Sequence, residues 1–349
     1  MKKIIEIAGR KIGLLQPVFL IAEMSANHNQ SFDDAVTIIR AAKEAGADAI
    51  KIQTYTPDTI TIDSNKEYFR IKGGLWDGEN LYGLYKKAYT PWEWQPRLKK
   101  IADELGIILF STPFDKTAVD FLHEMDVPAY KVASFELVDI PLIEYISSKG
   151  KPVIMSVGMA TLGEIEDAVK AARNAGAPEI ALLKCTSAYP APYDEINLRT
   201  IPHLASAFDV VAGLSDHTTG IAVPVASVAL GAKIIEKHFT LSRARGGPDA
   251  AFSLEPHEFK AMAEAIRAAE KAVGTVHYGL AEGEKASRVF RRSLFVVRDI
   301  KAGEIFTEEN VRSIRPGHGL APKYVKKVLG KKAAKDIEKG TPLSWDMLG

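Results

Sequence analysis

Eight short apolar runs, each separated from the next by a stretch of helical period, limit what this chain can become more than any other feature. The runs fall at 18–22, 49–53, 107–111, 129–133, 153–156, 180–184, 210–214 and 234–238. The helical stretches fall at 31–45, 91–105, 116–125, 140–148, 161–175, 198–207, 220–230 and 255–273, the last opening on Pro256. Near-continuous apolar strands alternating with helices indicate a parallel sheet covered by helices. Eight repeats predict an α/β fold of the (β/α)8 TIM barrel type rather than an open doubly wound sheet. No glycine-rich fingerprint follows any strand, which argues against dinucleotide binding. Ahead of the barrel, IIEIAGRKIG reads as a hairpin turning at Gly9, Arg10 and Lys11. The barrel domain is placed at 1–277, a polar, basic linker at 278–291, and a small unit of short strands and turns at 292–349. At about 58 residues that last unit has a marginal core alone and is expected to dock on something.

A hydrophobic content of 46% supports a sizeable core, and 45 basic against 44 acidic residues leave a net charge of +1. Such a balance provides no global field for nucleic acid or an anionic membrane, so any anion site must be local. One cysteine, Cys185, excludes an intramolecular disulfide framework and a cysteine-based zinc site. Glu6, Arg10 and Lys11 interrupt any apolar segment behind Lys2 and Lys3, and no run approaches membrane-spanning length. A soluble, cytoplasmic protein is the expectation.

Catalytic groups of such barrels come from the C-terminal ends of the strands. GLSDHTTG and KIIEKHFT put His217 and His238 at that rim on neighbouring strands, with Ser215, Asp216, Glu236, Lys237 and Asp249 close in sequence. Neutral imidazoles are common ligands for divalent metals, although two structural histidines are the plainer alternative. The other strand ends offer Glu23, Lys51, Thr112, Lys131, Ser134, Ser156, Lys184, Thr186 and Ser187. Lysines and hydroxyls converging on one mouth suit a phosphate- or carboxylate-bearing ligand. A barrel lysine can instead form a Schiff base, but the histidine pair favours Lewis-acid activation of a carbonyl. Glu23, beside Asn27, His28 and Asn29, is a candidate acid/base, or else a helix cap or a partner for Lys51. His28 lies on a loop past the strand end, which argues against it as a third ligand. Residues 54–90 form one long connection whose aromatics either close over substrate or pack the loop onto the barrel.

AEMSANHNQ, KIQTYTPDTI, STPFDKTAVDFL, KVASFE, CTSAYPAP, GLSDHTTG, IIEKHFT and GGPDAAFSLEP resemble the sialic acid synthase family. FRRSLFVVRDIKAGEIFTEENVRSIRPGHGL is similar to that family's C-terminal SAF domain, the antifreeze-like β-clip unit. AEMSANHN, YTPWEW, KTAVDFL and GGPDAAFSLEP most resemble the branch making pseudaminic acid. The resemblance implies condensation of phosphoenolpyruvate with 2,4-diacetamido-2,4,6-trideoxy-L-altrose to a nine-carbon 2-keto acid and phosphate. The alternative is an N-acetylneuraminate or legionaminate synthase using N-acetylmannosamine or an analogue. Under this resemblance His217 and His238 hold a divalent metal, manganese with magnesium or cobalt as substitutes. Lys51, Thr112, Lys131, Ser134, Ser156, Ser187 and Ser215 bind phosphoenolpyruvate, Ser187 standing where the family often carries Asn. Glu23 transfers protons, while Asn27, Tyr189, Glu236, Asp249 and Phe252 face the sugar. Phe252 and Met24 are the candidates for an apolar wall against a 6-deoxy carbon. Arg315 of IRPGHG matches an arginine that reaches into the partner's barrel, which implies a domain-swapped homodimer.

Overall fold

The computed structural model describes residues 4–349. Two compact units divide after Gly274. In the first, β1 (Ile4–Ile7) and β2 (Arg10–Gly13) form the expected antiparallel hairpin. Its Ile5, Ile7 and Ile12 are buried in one cluster with the inward residues Phe19, Ile21, Phe110 and Ile154 of the barrel.

The barrel strands are β3 (Phe19–Glu23), β4 (Ala49–Thr54), β5 (Ile108–Pro113), β6 (Tyr130–Val132), β7 (Val153–Ser156), β8 (Ile180–Cys185), β9 (Val211–Asp216) and β10 (Ile234–His238). All pair in parallel, and β10 against β3 closes the ring. Helices α1 (Phe32–Glu44), α4 (Gln95–Leu105), α5 (Lys116–Glu124), α6 (Ile140–Ser147), α7 (Leu162–Asn174), α8 (Thr200–Phe208), α9 (Ala222–Ala229) and α10 (Pro256–Val273) follow the successive strands. The long connection after β4 adds α2 (Pro57–Ile60) and α3 (Leu81–Ala88).

Local sequence accounts for these elements. The Ser31 side chain accepts from the Asp34 amide and starts α1, whose buried Ala35, Ile38, Ile39 and Ala42 recur at the 3, 4 and 7 spacing of one helix face. That face packs on Leu20, Ala22, Ile50 and Ile52, the outward residues of β3 and β4. Each buried Leu or Ile side chain here contributes roughly 1.5–3 kcal/mol, and each alanine methyl less. Side chains alternate across a strand, so the partners of these residues, Ile21, Glu23, Ala49 and Lys51, point inward.

The same alternation corrects three rim candidates and one wall candidate. Asp216 and Lys237 face the helices, where they pair with each other fully buried. Lys184 also turns outward, donating to the Cys185 carbonyl at 2.7 Å and the Thr186 hydroxyl at 3.1 Å. With Arg199 and His203 it lines a separate open pocket of about 640 Å³. Met24 continues the outward series of Leu20 and Ala22 and lies fully buried in that cluster, so it forms no wall of the mouth.

The second unit pairs β11 (Ser293–Val296) with β12 (Val311–Ile314) and carries α11 (Val325–Val328). Leu294, Val296, Ile300, Phe306, Val328 and Leu343 give it a core of its own. Among the described residues, no helix is long and apolar enough to cross a membrane.

Candidate active site

Strand register assembles a charged floor inside the barrel mouth. Glu23 is level with Lys51 across β3 and β4, and Glu236 with Ser215 across β10 and β9. Lys51 Nζ lies 2.8 Å from Glu23 Oε2, 3.4 Å from Glu236 Oε1 and 3.1 Å from the Thr112 hydroxyl. Lys131 Nζ lies 3.9 Å from the same Glu236 oxygen and donates to Ser156 Oγ at 2.6 Å. Ser215 donates to Glu236 Oε1 at 3.4 Å. Two carboxylates and two ammoniums, all essentially without solvent contact, thus cancel in charge. Burial is costly for each ion and is tolerated because every one has an opposite neighbour.

The four groups respond differently. Burial pushes the Glu23 carboxyl up, Lys51 opposes that rise and Glu236 adds to it. At Glu236 burial also favours the neutral acid, but Lys131 and Lys51 outweigh it and hold the group below the ordinary carboxylate range. Lys131 is lowered by burial, with Glu236 only partly compensating. Lys51 is raised, because Glu23 and Glu236 together overcome the burial that works against its charge.

Beside this floor, Ser134 Oγ accepts from the Gly158 amide at 3.1 Å. A Cβ on Gly158 would fall 2.4 Å from Ser187 Oγ and 2.7 Å from Ser134 Oγ, so only glycine lets these hydroxyls converge. Six of the seven residues matched above to phosphoenolpyruvate binding are buried here, and Ser187 is half-buried. Glu236, matched to the sugar, lies instead between the two lysines of this group.

The imidazoles of His217 and His238 stand across the mouth with ring centroids 5.3 Å apart. His217 Nδ1 meets the Thr186 carbonyl at 3.0 Å, which makes Nδ1 a protonated nitrogen, so Nε2 is the atom that carries the lone pair when the ring is neutral. His238 Nδ1 has no hydrogen-bond partner among the described residues. Burial, with His217 and three lysines adding to it, holds the His238 ring well below its usual range and therefore neutral. Asp249 Oδ2, which takes the Ser25 hydroxyl, is 4.0 Å from His238 Nδ1. The pair fits two ligands of a divalent ion, with the rest of the shell left to substrate and water. Among the described residues no cluster of three or more His, Cys, Asp or Glu side chains is arranged for a metal. His28 is excluded as a further ligand: Thr90 and the Gln30 amide occupy both ring nitrogens.

An aromatic wall flanks the imidazoles. Tyr189 is 4.4 Å from the His217 ring and 5.1 Å from Phe252, which is 4.9 Å from the His238 ring. Asn27 Nδ2 is occupied by the Phe239 carbonyl and Ser253, while its buried Oδ1 is unpartnered among the described residues. Arg315 lies exposed in the second unit, directly after β12.

Two groups escaped the sequence reading. Gln53 donates to Glu23 Oε1 at 3.0 Å and to Ser25 at 2.9 Å. Glu136, in the turn after β6, is pushed up to about 7 by burial and has an unpartnered Oε2 among the described residues. Gln53 lies two residues beyond the inward Lys51 on β4, so strand alternation was the available signal for it, whereas Glu136 belongs to the short 3-10 turn Ser134–Glu136, where that alternation does not hold. Trp76 is one of the aromatics of the connection after β4, others of which pack that connection onto the barrel. Tyr55 packs on Tyr85 and Phe114, and Trp92 stacks on Phe121, whereas Trp76 reaches over to Tyr189 with centroids 5.5 Å apart.

Residues 38–278 match the NeuB family and residues 291–349 match the SAF domain. A protein of Campylobacter jejuni named pseudaminic acid synthase is 50% identical over 93% of this chain and 95% of its own length. One of Helicobacter pylori with the same name is 45% identical over 95% of this chain and 98% of its own. The solved N-acetylneuraminic acid synthetase of Leptospira borgpetersenii is 33% identical, with a TM-score of 0.74 over 82% of this chain and 95% of that one.

Proposed function

The chain belongs to the NeuB family, and we propose that within it the protein is a pseudaminic acid synthase. The reaction would join C3 of phosphoenolpyruvate to the aldehyde carbon of 2,4-diacetamido-2,4,6-trideoxy-L-altrose, add water at C2 and release phosphate. The observation that carries this reading is the juxtaposition of a lysine and hydroxyl floor with an imidazole pair and an aromatic wall in one mouth.

Lys51, Lys131, Thr112, Ser156 and Ser215 would receive the two anionic groups of the enolpyruvyl ligand, with Ser134, Ser187 and the Gly158 turn cradling the phosphate. His217 and His238 would hold a divalent metal, manganese by our reading, which when bound supplies Lewis acidity at the aldehyde oxygen. Burial raises the Glu23 carboxyl above its ordinary range, which would suit it to give a proton to the oxygen that becomes a hydroxyl. Negative charge on Glu236, with Asp249 beside His238, opposes the positive charge developing at C2. Glu136 is poised to take a proton from the attacking water.

The N-acetylneuraminate alternative differs in the sugar alone. Incubation with phosphoenolpyruvate and manganese, followed by mass spectrometry, separates the two. A nine-carbon 2-keto acid from the trideoxy sugar and none from N-acetylmannosamine supports the proposal, and the reverse outcome rejects it. Arg315 would complete the site of a second subunit in a domain-swapped homodimer. Sedimentation of the wild type as a monomer at assay concentration would remove that part.

Two further results are expected. Gly158→Ala should raise KM for phosphoenolpyruvate about tenfold while costing about 1–3 kcal/mol of stability, since the new Cβ displaces both hydroxyls. An unchanged KM would remove the cradle. For Glu136, turnover should rise with pH up to about 7 as the base ionises, and Glu136→Gln should lose that limb. Stability carries the opposite sign. The fold favours the protonated carboxyl, so its contribution is present below 4.5 and lost as pH rises through about 7. The Tm of Glu136→Gln relative to wild type should therefore increase across that window.

A further inference from the structure

A sugar held by its aldehyde between His217 and His238 and extended along the aromatic wall would bring its far end toward Trp76. The Trp76 ring contacts Tyr189, which in turn contacts His217, so the indole stands two ring contacts beyond the imidazoles. The residues around it form a small, self-braced strap. Ile71 N donates to the Glu79 carbonyl and Gly78 N to that of Ile71, both at 2.9 Å, while Arg70 bridges Asn80. Gly73, Gly74 and Gly78 take positive φ values of 77°, 76° and 81°, which lets so short a strap reverse direction. The indole Nε1 donates to the Pro248 carbonyl at 3.0 Å. That bond ties the strap to the segment carrying Asp249 and Phe252, and it uses the only polar atom of the indole. What Trp76 still presents is apolar.

We propose that Trp76 is a specificity-determining residue, which completes a wall with Tyr189 and Phe252 and selects a sugar lacking a hydroxyl on its terminal carbon. The inference rests on the proposed reaction and deepens it. A methyl group on that carbon lies against indole and phenyl faces at no cost. A hydroxyl there loses its water against the ring faces and finds the indole N–H already engaged by the Pro248 carbonyl. An apolar site rejects such a hydroxyl by on the order of a hundredfold and no more, so the wall sets a preference rather than an absolute barrier.

The test compares 2,4-diacetamido-2,4,6-trideoxy-L-altrose with its 6-hydroxy analogue in the full-length enzyme, as the ratio of the two kcat/KM values. Wild type should favour the deoxy sugar. Trp76→Ala should lower that ratio about tenfold, mainly through KM for the deoxy sugar, with KM for phosphoenolpyruvate unchanged. Trp76→Gln, which offers an amide to a hydroxyl, should lower it further by improving use of the 6-hydroxy sugar. Trp76 is on a half-exposed strap, so both variants should keep the wild-type Tm. An unchanged ratio, or equal losses for both sugars, overturns the inference while leaving the proposed reaction standing. Turnover of N-acetylmannosamine and not of the trideoxy sugar by wild type overturns both.

Discussion

Replacing His238 with alanine is expected to lower turnover by about three orders of magnitude and leave the barrel folded. The ring is buried but its Nδ1 has no hydrogen-bond partner among the described residues, so its removal orphans nothing in the protein. What the structure loses is packing against Phe252. What the proposed reaction would lose is one of two ligands for the divalent ion that would polarise the aldehyde. Such polarisation is worth several kcal/mol, and about 1.4 kcal/mol corresponds to a factor of ten in rate. Manganese binding, followed by electron paramagnetic resonance, should weaken in parallel. A variant within tenfold of wild-type turnover would show that the imidazole pair is structural.

The second large effect is on stability. Glu236→Gln removes the carboxylate that lies 3.4 Å from Lys51 and 3.9 Å from Lys131, leaving Glu23 alone against two buried ammoniums. Breaking a buried ion pair from one side costs about 3–5 kcal/mol. A fall in Tm of several degrees at neutral pH follows. Lys131 is already lowered by burial, so at higher pH it sheds its proton first and the deficit should shrink. Phosphoenolpyruvate would replace the missing negative charge, and should therefore raise Tm more in the variant than in wild type. A ligand-induced rise in the variant no larger than that in wild type would mean that the four charges are not coupled as described.

Much of this arrangement was legible in the residues. The barrel followed from eight apolar runs, and the rim followed from asking what ends each run, which located Glu23, Lys51, Lys131, Ser156, Ser215, His217 and His238. Errors came from treating a rim as a place rather than as one face of a pleat. Once Glu236 and His238 point inward, Lys237 must point outward, and the same step moves Asp216, Lys184 and Met24 away from the mouth. Applied forward, that step would have found Gln53. Trp76 had no such signal. Its place depends on a strap folding back across the mouth to Pro248, and no periodicity in the sequence encodes the distance.

Phosphate release from phosphoenolpyruvate, followed with and without the trideoxy sugar and with manganese or EDTA, measures the coupling on which the whole site depends. We expect release only when the enzyme, both substrates and the metal are present, one phosphate for each nine-carbon acid formed. Release without sugar, or condensation from pyruvate without phosphate, would contradict it.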